Sequence, residues 1–331
     1  MQVTASAPTR IDLAGGTLDI WPLYLFHADA QTLNAAISLR AHAEVLSRDD
    51  GRIVLESLDT QRSVHAAHWT ELDGQAELPL LAHLTAFFRA GNLTLRTRGE
   101  SPAGAGIAGS SALNVAVCGA LARFHDVRYT ADELLTVAMN VEAQVIHVPT
   151  GVQDYRPAYY GGIAAVELRP EGVKRIGLPI DPHELEARIV LAYTGAPRQS
   201  GTNNWEIIKR HIDGDPQVYD SFERIRDAAA LLREALVHRD WNDVARQIRL
   251  EWDARKKLAP GVTTPAIDTL IARAGAAGAQ AAKICGAGGG GCLFCVADPS
   301  AIPAVRSALV AGGARVLDYR IDMEGLRVET P

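Results

Sequence analysis

The chain has 331 residues, of which 47% are hydrophobic and 22% are charged, and its formal net charge is −6. These values exclude a disordered or fibrous chain, and the acidic balance gives no basis for nucleic-acid binding. No stretch reaches the roughly 18 apolar residues of a membrane span, and the first residues lack the basic and apolar regions of a signal peptide. We therefore expect a cytoplasmic protein that has neither a membrane nor a nucleic-acid partner.

The first half of the chain predicts a mixed β-sheet and two helices. Short β-like runs with Asp- and Gly-rich turns between them lie at 44–48 (EVLSR), 52–57 (RIVLES) and 93–99 (LTLRTRG). A helix is expected from Ser110, where apolar residues follow a serine pair at helical spacing. A second helix is expected after Thr130, because Glu133 completes a capping-box pattern. The run GGIAAVEL then predicts a strand.

The second half predicts a lobe of its own. Residues 170–187 carry Pro, Gly and Asp and are expected to link two lobes. The elements expected after this link are a strand at 188–195, three or four helices up to residue 279, a buried strand at 291–298, a helix near 300–313 and strand-like runs at 314–322 and 326–330. Cys292 and Cys295 would point to opposite faces of the buried strand, so we expect them to pack rather than share a metal. The pattern predicts an α+β fold with lobes at 1–180 and 181–331.

The stretch SPAGAGIAGSSAL (101–113) has the G-x-G-x-x-G spacing of dinucleotide-binding proteins at Gly104, Gly106 and Gly109. A Rossmann site also needs a second strand that ends in an acidic residue about 20 residues further on. That strand is missing here, because one predicted helix leads to the next through a short loop. The second match, GAGGGG at 286–291, leads into a strand, and no glycine loop ends in the Lys-Ser or Lys-Thr of a Walker motif. The pattern therefore argues against a dehydrogenase and a P-loop enzyme.

The same stretch is suited to a nucleoside triphosphate. Free amides at a helix N-terminus bind phosphate, and glycines let the backbone approach it closely. Ser110 and Ser111 add hydroxyls that can contact phosphate oxygens or Mg²⁺. Magnesium also needs carboxylates, which Glu142 and Asp154 could supply from two elements, because Pro and Gly interrupt the chain between them. One carboxylate could hold the metal while the other serves the acceptor hydroxyl.

Three segments in this order resemble the GHMP kinases, a family named for galactokinase, homoserine kinase, mevalonate kinase and phosphomevalonate kinase. APTRIDLAGGTLDI (7–20) is similar to the N-terminal substrate motif in its sugar-kinase form, and SPAGAGIAGSSAL is similar to the phosphate loop, one residue longer at Ala108. AAKICGAGGGGCLF (281–294) is similar to the glycine-rich loop that supports the nucleotide loop. The resemblance implies a two-lobe fold, in which ATP and substrate lie between a lobe related to ribosomal protein S5 domain 2 and a ferredoxin-like lobe.

The resemblance also implies roles for individual residues. Asp154 would accept or orient the proton of the attacking hydroxyl, and Arg10 beside it would help neutralise the transferring phosphoryl group. Mg²⁺ would be held by Glu142 and Ser111, although the choice between Ser110 and Ser111 stays open. ATP would be bound by Pro102, Gly104, Ala105, Gly106, Gly109, Ser110, Ser111 and Ala112. The acceptor would be bound by Gly16, Thr17, Asp19, Asn34, Gly151, Gln153, Gly288 and Gly289.

The acceptor expected from the resemblance is a sugar or sugar phosphate, phosphorylated at its anomeric hydroxyl. The motif AGGTLDI and the pair Gln153–Asp154 resemble the branch of heptose 7-phosphate kinase, fucokinase and galactokinase-like enzymes. Whether the acceptor already carries a phosphate stays open, and the candidate ligands for such a group are Arg156, Arg198, Lys209 and Arg210. The alternatives are a non-sugar acceptor such as mevalonate, or a non-catalytic member that senses sugars or nucleotides. The chain could act as a monomer or a homodimer.

Overall fold

The computed structural model describes residues 1–197 and 200–330, so the phosphate-ligand candidate Arg198 lies outside the described residues. The strands of the first half are β1 (Gln2–Ala14), β2 (Gln31–Ser47), β3 (Ile53–Ser57), β4 (Arg62–Ala66), β5 (Leu93–Gly99), β6 (Ile163–Arg169) and β7 (Gly172–Gly177). Its helices are α1 (Pro79–Phe87), α2 (Gly109–Phe124), α3 (Ala131–Ile146) and α4 (Tyr155–Tyr160). The second half contains α5 (Pro182–Glu186), β8 (Ile189–Tyr193), α6 (Ser200–Ile212), α7 (Pro216–His238), α8 (Trp241–Arg255), α9 (Pro265–Ala276), β9 (Ala279–Ile284), β10 (Cys292–Ala297), α10 (Ile302–Ala311), β11 (Arg315–Leu317) and β12 (Arg327–Glu329).

The first sheet is built on the two long strands β1 and β2. Its main path runs β12-β1-β2-β5-β3-β4, and only the β3–β5 pair is parallel. The two ends of β2 have different partners, since residues 41–47 pair with β5 and residues 31–35 pair with β6. Helix α2 lies against this sheet and is apolar on nearly all sides, so that it is buried along most of its length. This packing fixes the N-terminus of α2 beside β1.

The second sheet has the strand order β11-β8-β10-β9, and all its pairs are antiparallel. Numbered along the chain, this is order 4-1-3-2 with a β-α-β-β-α-β succession, as in a ferredoxin-like lobe. Alternate residues of β10 face two different apolar clusters: Phe294 belongs to the cluster that contains Leu232 of α7, and Leu293 belongs to the cluster that contains Leu309 of α10. Cys292 and Cys295 are unbonded and lie in opposite clusters, as the sequence predicted.

Two local expectations are corrected. Helix α2 begins at Gly109 instead of Ser110, after Ala108, which has a left-handed backbone and makes no side-chain capping bond. The segment 170–187 is not a plain link: β7 pairs with β6 as a hairpin, and α5 follows. Its polar composition reflects the exposed edge position of β7. By contrast, the capping box of α3 at Thr130 is present as predicted.

The last strand joins the two halves of the chain. β12 pairs with β1, with Thr4 opposite Glu329, so the C-terminal segment completes the first sheet. The lobe boundary near residue 180 stays a prediction. In the part of the chain that the structure describes, no helix combines the length and the apolar character needed to cross a bilayer.

Candidate active site

The loop between β5 and α2 is shaped by residues with left-handed backbone and is fixed by β1. Gly104, Gly106 and Ala108 have φ angles of 65°, 73° and 61°. The guanidinium of Arg10 donates to the carbonyl oxygen of Gly106 at 3.0 Å, and the backbone N–H of Arg10 donates to Ile107 O at 3.0 Å. The first amides of α2 have no intrahelical acceptor and lie at the end of this loop. This geometry presents N–H donors and the positive end of a helix dipole to an anion.

The two glycine-rich segments of the chain are in contact, as the sequence predicted. The backbone N–H of Cys292 donates to Ala105 O at 2.6 Å. Gly291 has a φ of 85°, and a Cβ atom there would lie 2.6 Å from the same oxygen. Only glycine therefore allows the second loop to approach the first this closely.

We expect Gly291→Ala to weaken ATP binding about tenfold, equivalent to about 1.4 kcal/mol, because the added methyl group displaces the loop at Ala105. Isothermal titration with a non-hydrolysable ATP analogue measures the effect. Gly313→Ala is the matched control, since Gly313 has a similar φ of 89° but no atom within 4 Å of its Cβ position. An equal loss of ATP affinity in both variants would show that backbone strain, rather than loop contact, is responsible.

Glu142, near the end of α3, points toward the start of α2. Its carboxylate accepts hydrogen bonds from Ser110 Oγ (2.6 Å), Ser111 Oγ (3.0 Å) and the hydroxyl of Tyr155 (2.7 Å). The residue is only 5% exposed, and burial raises its pKa even though the three hydroxyl donors act in the opposite direction. Sequence reasoning missed Tyr155, although it directly follows Asp154.

The oxygen atoms of this cluster fit Mg²⁺, which binds carboxylate and hydroxyl oxygens. Both serines contact Glu142, but they differ in exposure, since Ser110 is exposed whereas Ser111 is buried. The choice between the two hydroxyls as a metal ligand therefore stays a prediction.

Asp154 precedes α4 and is held by Arg10. The Nε and Nη2 atoms of Arg10 donate to Asp154 Oδ1 at 3.1 and 2.6 Å. Arg10 is almost fully buried, whereas the side chain of Asp154 is 23% exposed. Burial opposes the charge of Arg10, but the carboxylates of Asp154 and Asp12 outweigh it and raise the pKa of Arg10. One fixed cation thus connects the glycine loop to an accessible carboxylate.

Asp19 faces the same region from the loop after β1. Its Oδ2 atom accepts a hydrogen bond from the backbone N–H of Gln153 at 2.9 Å, and Ile20 pairs with Gly151 across the two segments. A Cβ atom at Gly151 would lie 1.9 Å from Asp19 Oδ2, so a larger residue does not fit. Burial raises the pKa of Asp19 to about 7, and the negative charge of Asp154 adds to this effect.

Two family models match the chain. The N-terminal domain of the GHMP kinases matches residues 78–162, and the C-terminal domain matches residues 232–315, so the models cover just over half of the chain. The chain belongs to the GHMP kinases. As a member of this family it is an ATP-dependent phosphotransferase.

Relatives of this GHMP kinase include enzymes with two kinds of acceptor. A D-glycero-α-D-manno-heptose 7-phosphate kinase from Campylobacter jejuni is 28% identical over 98% of each chain. A mevalonate kinase from Thermococcus sibiricus is 25% identical over 99% of each chain. Among solved structures, a D-glycero-D-manno-heptose 1-phosphate kinase from Bacteroides thetaiotaomicron has a TM-score of 0.81 at 24% identity and covers 99% of each chain. That structure has the same two-lobe fold.

A cleft between the lobes of this GHMP kinase brings together four of the eight predicted acceptor residues, namely Thr17, Asp19, Gly151 and Gln153. Its lining residues are Arg10, Thr17, Asp19, Ile20, Gly151, Gln153, Asp154, Asn204, Gly286 and Ala287. The last three were not among the residues predicted to bind the acceptor. Gly286 and Ala287 carry a signal, because they begin the glycine-rich segment, whereas Asn204 lies on α6 and carries none. The cleft thus joins β1, the loop after β1 and residues 151–154 of the first lobe to α6 and the glycine-rich segment of the second.

The other four predicted acceptor residues are not among the described residues that line the cleft: Gly16 directly precedes the lining residue Thr17, whereas Asn34, Gly288 and Gly289 lie elsewhere. Asn34 is enclosed in β2, where its side-chain amide donates to Thr32 Oγ1 at 3.0 Å. Gly288 and Gly289 lie against the loop after α8, since Gly289 N–H donates to Val262 O at 2.9 Å and a Cβ atom at Gly288 would lie 2.4 Å from that oxygen. Among the described residues that line the cleft, none of the three is present. Their contacts with the acceptor stay a prediction.

The candidate phosphate ligands are also separated. Lys209 and Arg210 of α6 each pair with an aspartate in the turn before α7, at 2.5 and 2.7 Å. Arg156 is buried two residues after Asp154, where it lies 3.6 Å from the exposed Asp132 and lines a neighbouring cavity of about 610 Å³. Of these three described candidates, Arg156 is the one beside the acceptor segment.

Proposed function

We propose that this GHMP kinase transfers the γ-phosphate of ATP, with Mg²⁺, to a hydroxyl of a sugar or sugar phosphate. The observation that carries the proposal is the pair of carboxylates in one cleft: the accessible Asp154 held by Arg10, and the buried Asp19 beside it. Two carboxylates of different exposure suit two tasks, one on the reacting hydroxyl and one on the hydroxyls that orient the acceptor.

The nucleotide is proposed to bind at the glycine loop. The residues assigned to it are Pro102, Gly104, Ala105, Gly106, Gly109, Ser110, Ser111 and Ala112. Their amides and the N-terminus of α2 would cradle the phosphates, because this lobe offers a helix dipole rather than a lysine-rich loop. Glu142 with a serine hydroxyl would hold Mg²⁺, which supplies positive charge to the phosphate oxygens when bound.

Asp154 is proposed to accept or orient the proton of the attacking hydroxyl. A carboxylate in this role aligns a lone pair of the hydroxyl oxygen with the phosphorus atom, which lowers the barrier by positioning. Arg10 contributes in two ways, since it fixes the orientation of Asp154 and adds a cation close to the glycine loop. That charge would stabilise the phosphoryl group as negative charge redistributes during transfer.

A polyol fits the acceptor side better than mevalonate does. Asp19 presents a buried carboxylate with one oxygen, Oδ1, that has no hydrogen-bond partner among the described residues. Neighbouring hydroxyls of a sugar can donate to such an oxygen. Mevalonate carries a carboxylate of its own, which the carboxylates of Asp19 and Asp154 would repel. The similarity to a heptose 7-phosphate kinase supports the same class of acceptor.

A substrate screen tests the proposal. ADP release with ATP and Mg²⁺ is measured for galactose, fucose, mannose, glucuronate and heptose 7-phosphate, and mevalonate is included as the alternative. We expect turnover with at least one sugar or sugar phosphate and none with mevalonate. Turnover with mevalonate alone would reassign the acceptor, and ATP binding without any turnover would favour a non-catalytic sensor. A cytoplasmic location and a monomeric or homodimeric state complete the proposal.

We expect acceptor affinity to fall at acidic pH because of Asp19. Its raised pKa of about 7 means that the carboxylate is ionised above pH 7 and increasingly protonated below it. If the ionised form accepts the sugar hydroxyls, the acceptor KM rises about tenfold for each pH unit below 7, while the ATP KM changes less. Steady-state kinetics between pH 5.5 and 8 measure both constants. In Asp19→Asn the acceptor KM is expected to be high at every pH. If the acceptor KM of this variant depended on pH as in wild type, the titrating group would be another residue.

A further inference from the structure

Four charged side chains form a buried charge cluster behind the acceptor loop, which comprises residues 15–19. The members are Asp12 of β1, Glu251 and Arg255 of α8 and Lys283 of β9, each at most 1% exposed. Glu251 lies 2.5 Å from Arg255 Nη2 and 2.9 Å from Lys283 Nζ. Asp12 lies 3.9 and 3.8 Å from the same two cations. Two positive and two negative charges are thus enclosed together.

Stability alone is a poor reason for such a cluster. Removing four charges from water is costly, and well-packed apolar side chains of similar volume are often as stable or more stable. Asp12 stays ionised, because the cations Lys283, Arg255 and Arg10 outweigh the effect of burial and lower the pKa of its carboxyl group. A fixed arrangement of charges therefore lies under the cleft. One of its members, Arg255, also forms hydrogen bonds with two loops of the cleft.

Arg255 uses its remaining donors on both loops of the cleft. Nη2 donates to Gly16 O at 2.9 Å, and Nη1 donates to Thr17 Oγ1 at 3.2 Å and to Gly286 O at 3.4 Å. Thr17 and Gly286 both line the cleft. Thr17 also has a φ of 73°, which is unfavourable for a residue with a branched side chain and needs support from its surroundings.

We propose that Arg255 is a positioning residue that fastens the acceptor loop of the first lobe to the glycine-rich loop of the second, while the other members of the buried charge cluster keep its guanidinium in place. Acceptor affinity then depends on side chains that never touch the acceptor. Gly16 belongs to this arrangement, because a Cβ atom there would lie 2.6 Å from Asp12 Oδ2 and 3.1 Å from Arg255 Nη2. The inference rests on the proposed function where it concerns acceptor binding.

The first test is Arg255→Lys, which keeps the charge but loses the planar fork that reaches both loops. The expected result is an acceptor KM at least tenfold higher, with an ATP KM within twofold of wild type. The double variant Glu251→Gln/Arg255→Met removes one charge of each sign and leaves Asp12 with Lys283. It is expected to fold with a thermal midpoint near that of wild type and to show the same rise in acceptor KM. A normal acceptor KM in either folded variant overturns the proposal.

Arg40→Lys is the matched control. Arg40 is also a buried arginine, paired with Asp322, and it donates to the carbonyl oxygens of Ser6 (2.7 Å) and Gly325 (2.5 Å) away from the cleft. This variant is expected to lose thermal stability without a change in acceptor KM. An equal rise in acceptor KM in Arg40→Lys would mean that a general loss of stability, and not the position of Arg255, causes the effect, and it would overturn the proposal.

Amide hydrogen exchange separates this inference from the proposed function, because it requires no acceptor. Exchange at residues 15–19 and 286–291 is expected to increase in Arg255→Lys and to stay at the wild-type rate in Arg40→Lys. Unchanged exchange at both segments in Arg255→Lys overturns the positioning role. A failed substrate screen combined with increased exchange would overturn only the assignment of the acceptor.

Discussion

Asp154→Asn is expected to lower kcat by about 10² to 10⁴-fold while ATP affinity stays within twofold of wild type. The amide has the shape of the carboxylate and can still accept the hydrogen bonds that Arg10 donates at 2.6 and 3.1 Å. It cannot take a proton from the acceptor hydroxyl. Steady-state kinetics and calorimetric titration with an ATP analogue give the two quantities.

The control for this variant is Asp132→Asn. Asp132 is an aspartate of the same lobe whose side chain is 80% exposed and lies 3.6 Å from Arg156. Its kcat is expected to equal that of wild type. If Asp154→Asn retained more than a tenth of wild-type kcat, the proposed role of Asp154 would be wrong, and positioning by Arg10 and the glycine loop would have to supply the catalysis.

Glu142→Gln is expected to raise the Mg²⁺ concentration for half-maximal activity at least tenfold and to lower kcat, because the variant lacks the one carboxylate assigned to the metal. The same change is expected to raise the thermal midpoint at pH 7. Burial raises the pKa of Glu142 above its ordinary value, so folding is opposed at pH values above that ordinary value, where the unfolded chain is ionised, and a neutral amide removes this cost. Activity and stability should therefore change in opposite directions.

Calorimetry measures the thermal midpoint, and titration of activity with Mg²⁺ measures the metal dependence. Glu77→Gln, at an exposed position before α1, is the control and should change neither quantity. Wild-type Mg²⁺ dependence in Glu142→Gln would contradict the metal assignment. A lower thermal midpoint would show instead that the hydrogen bonds from Ser110, Ser111 and Tyr155 outweigh the cost of burial.

Local patterns in the sequence predicted those parts of the fold that depend on neighbouring residues. The capping box at Thr130 identified α3, and the continuous apolar run in GCLFCVAD identified a buried strand with its two cysteines on opposite faces. Each of these sequence signals spans only a few residues. It reflects either a backbone group that needs a particular capping residue or the spacing of hydrophobic residues. The contact between the two glycine-rich segments, through Ala105 and Cys292, joins distant residues and was implied by the family resemblance and not by a local pattern.

The remaining features depend on contacts between residues that are far apart in the chain. The buried charge cluster joins Asp12 to Glu251, Arg255 and Lys283, and nothing in the local sequence distinguishes these side chains from solvated surface charges. The same holds for Asn204, which α6 brings to the cleft. Asn34 was placed at the acceptor by resemblance in position, and this stays a prediction; its burial depends on the pairing of β2 with both β1 and β6, which the local sequence does not reveal.

The most direct test of the proposed function is ³¹P nuclear magnetic resonance of a reaction with ATP, Mg²⁺ and heptose 7-phosphate, run with wild type and Asp154→Asn. We expect a new sugar-phosphate resonance in the wild-type reaction, with its coupling identifying the phosphorylated hydroxyl, and we expect it to be strongly reduced in the variant. A resonance of equal intensity in both reactions, or transfer to mevalonate when no sugar acceptor gives a product, would contradict a sugar kinase that uses Asp154.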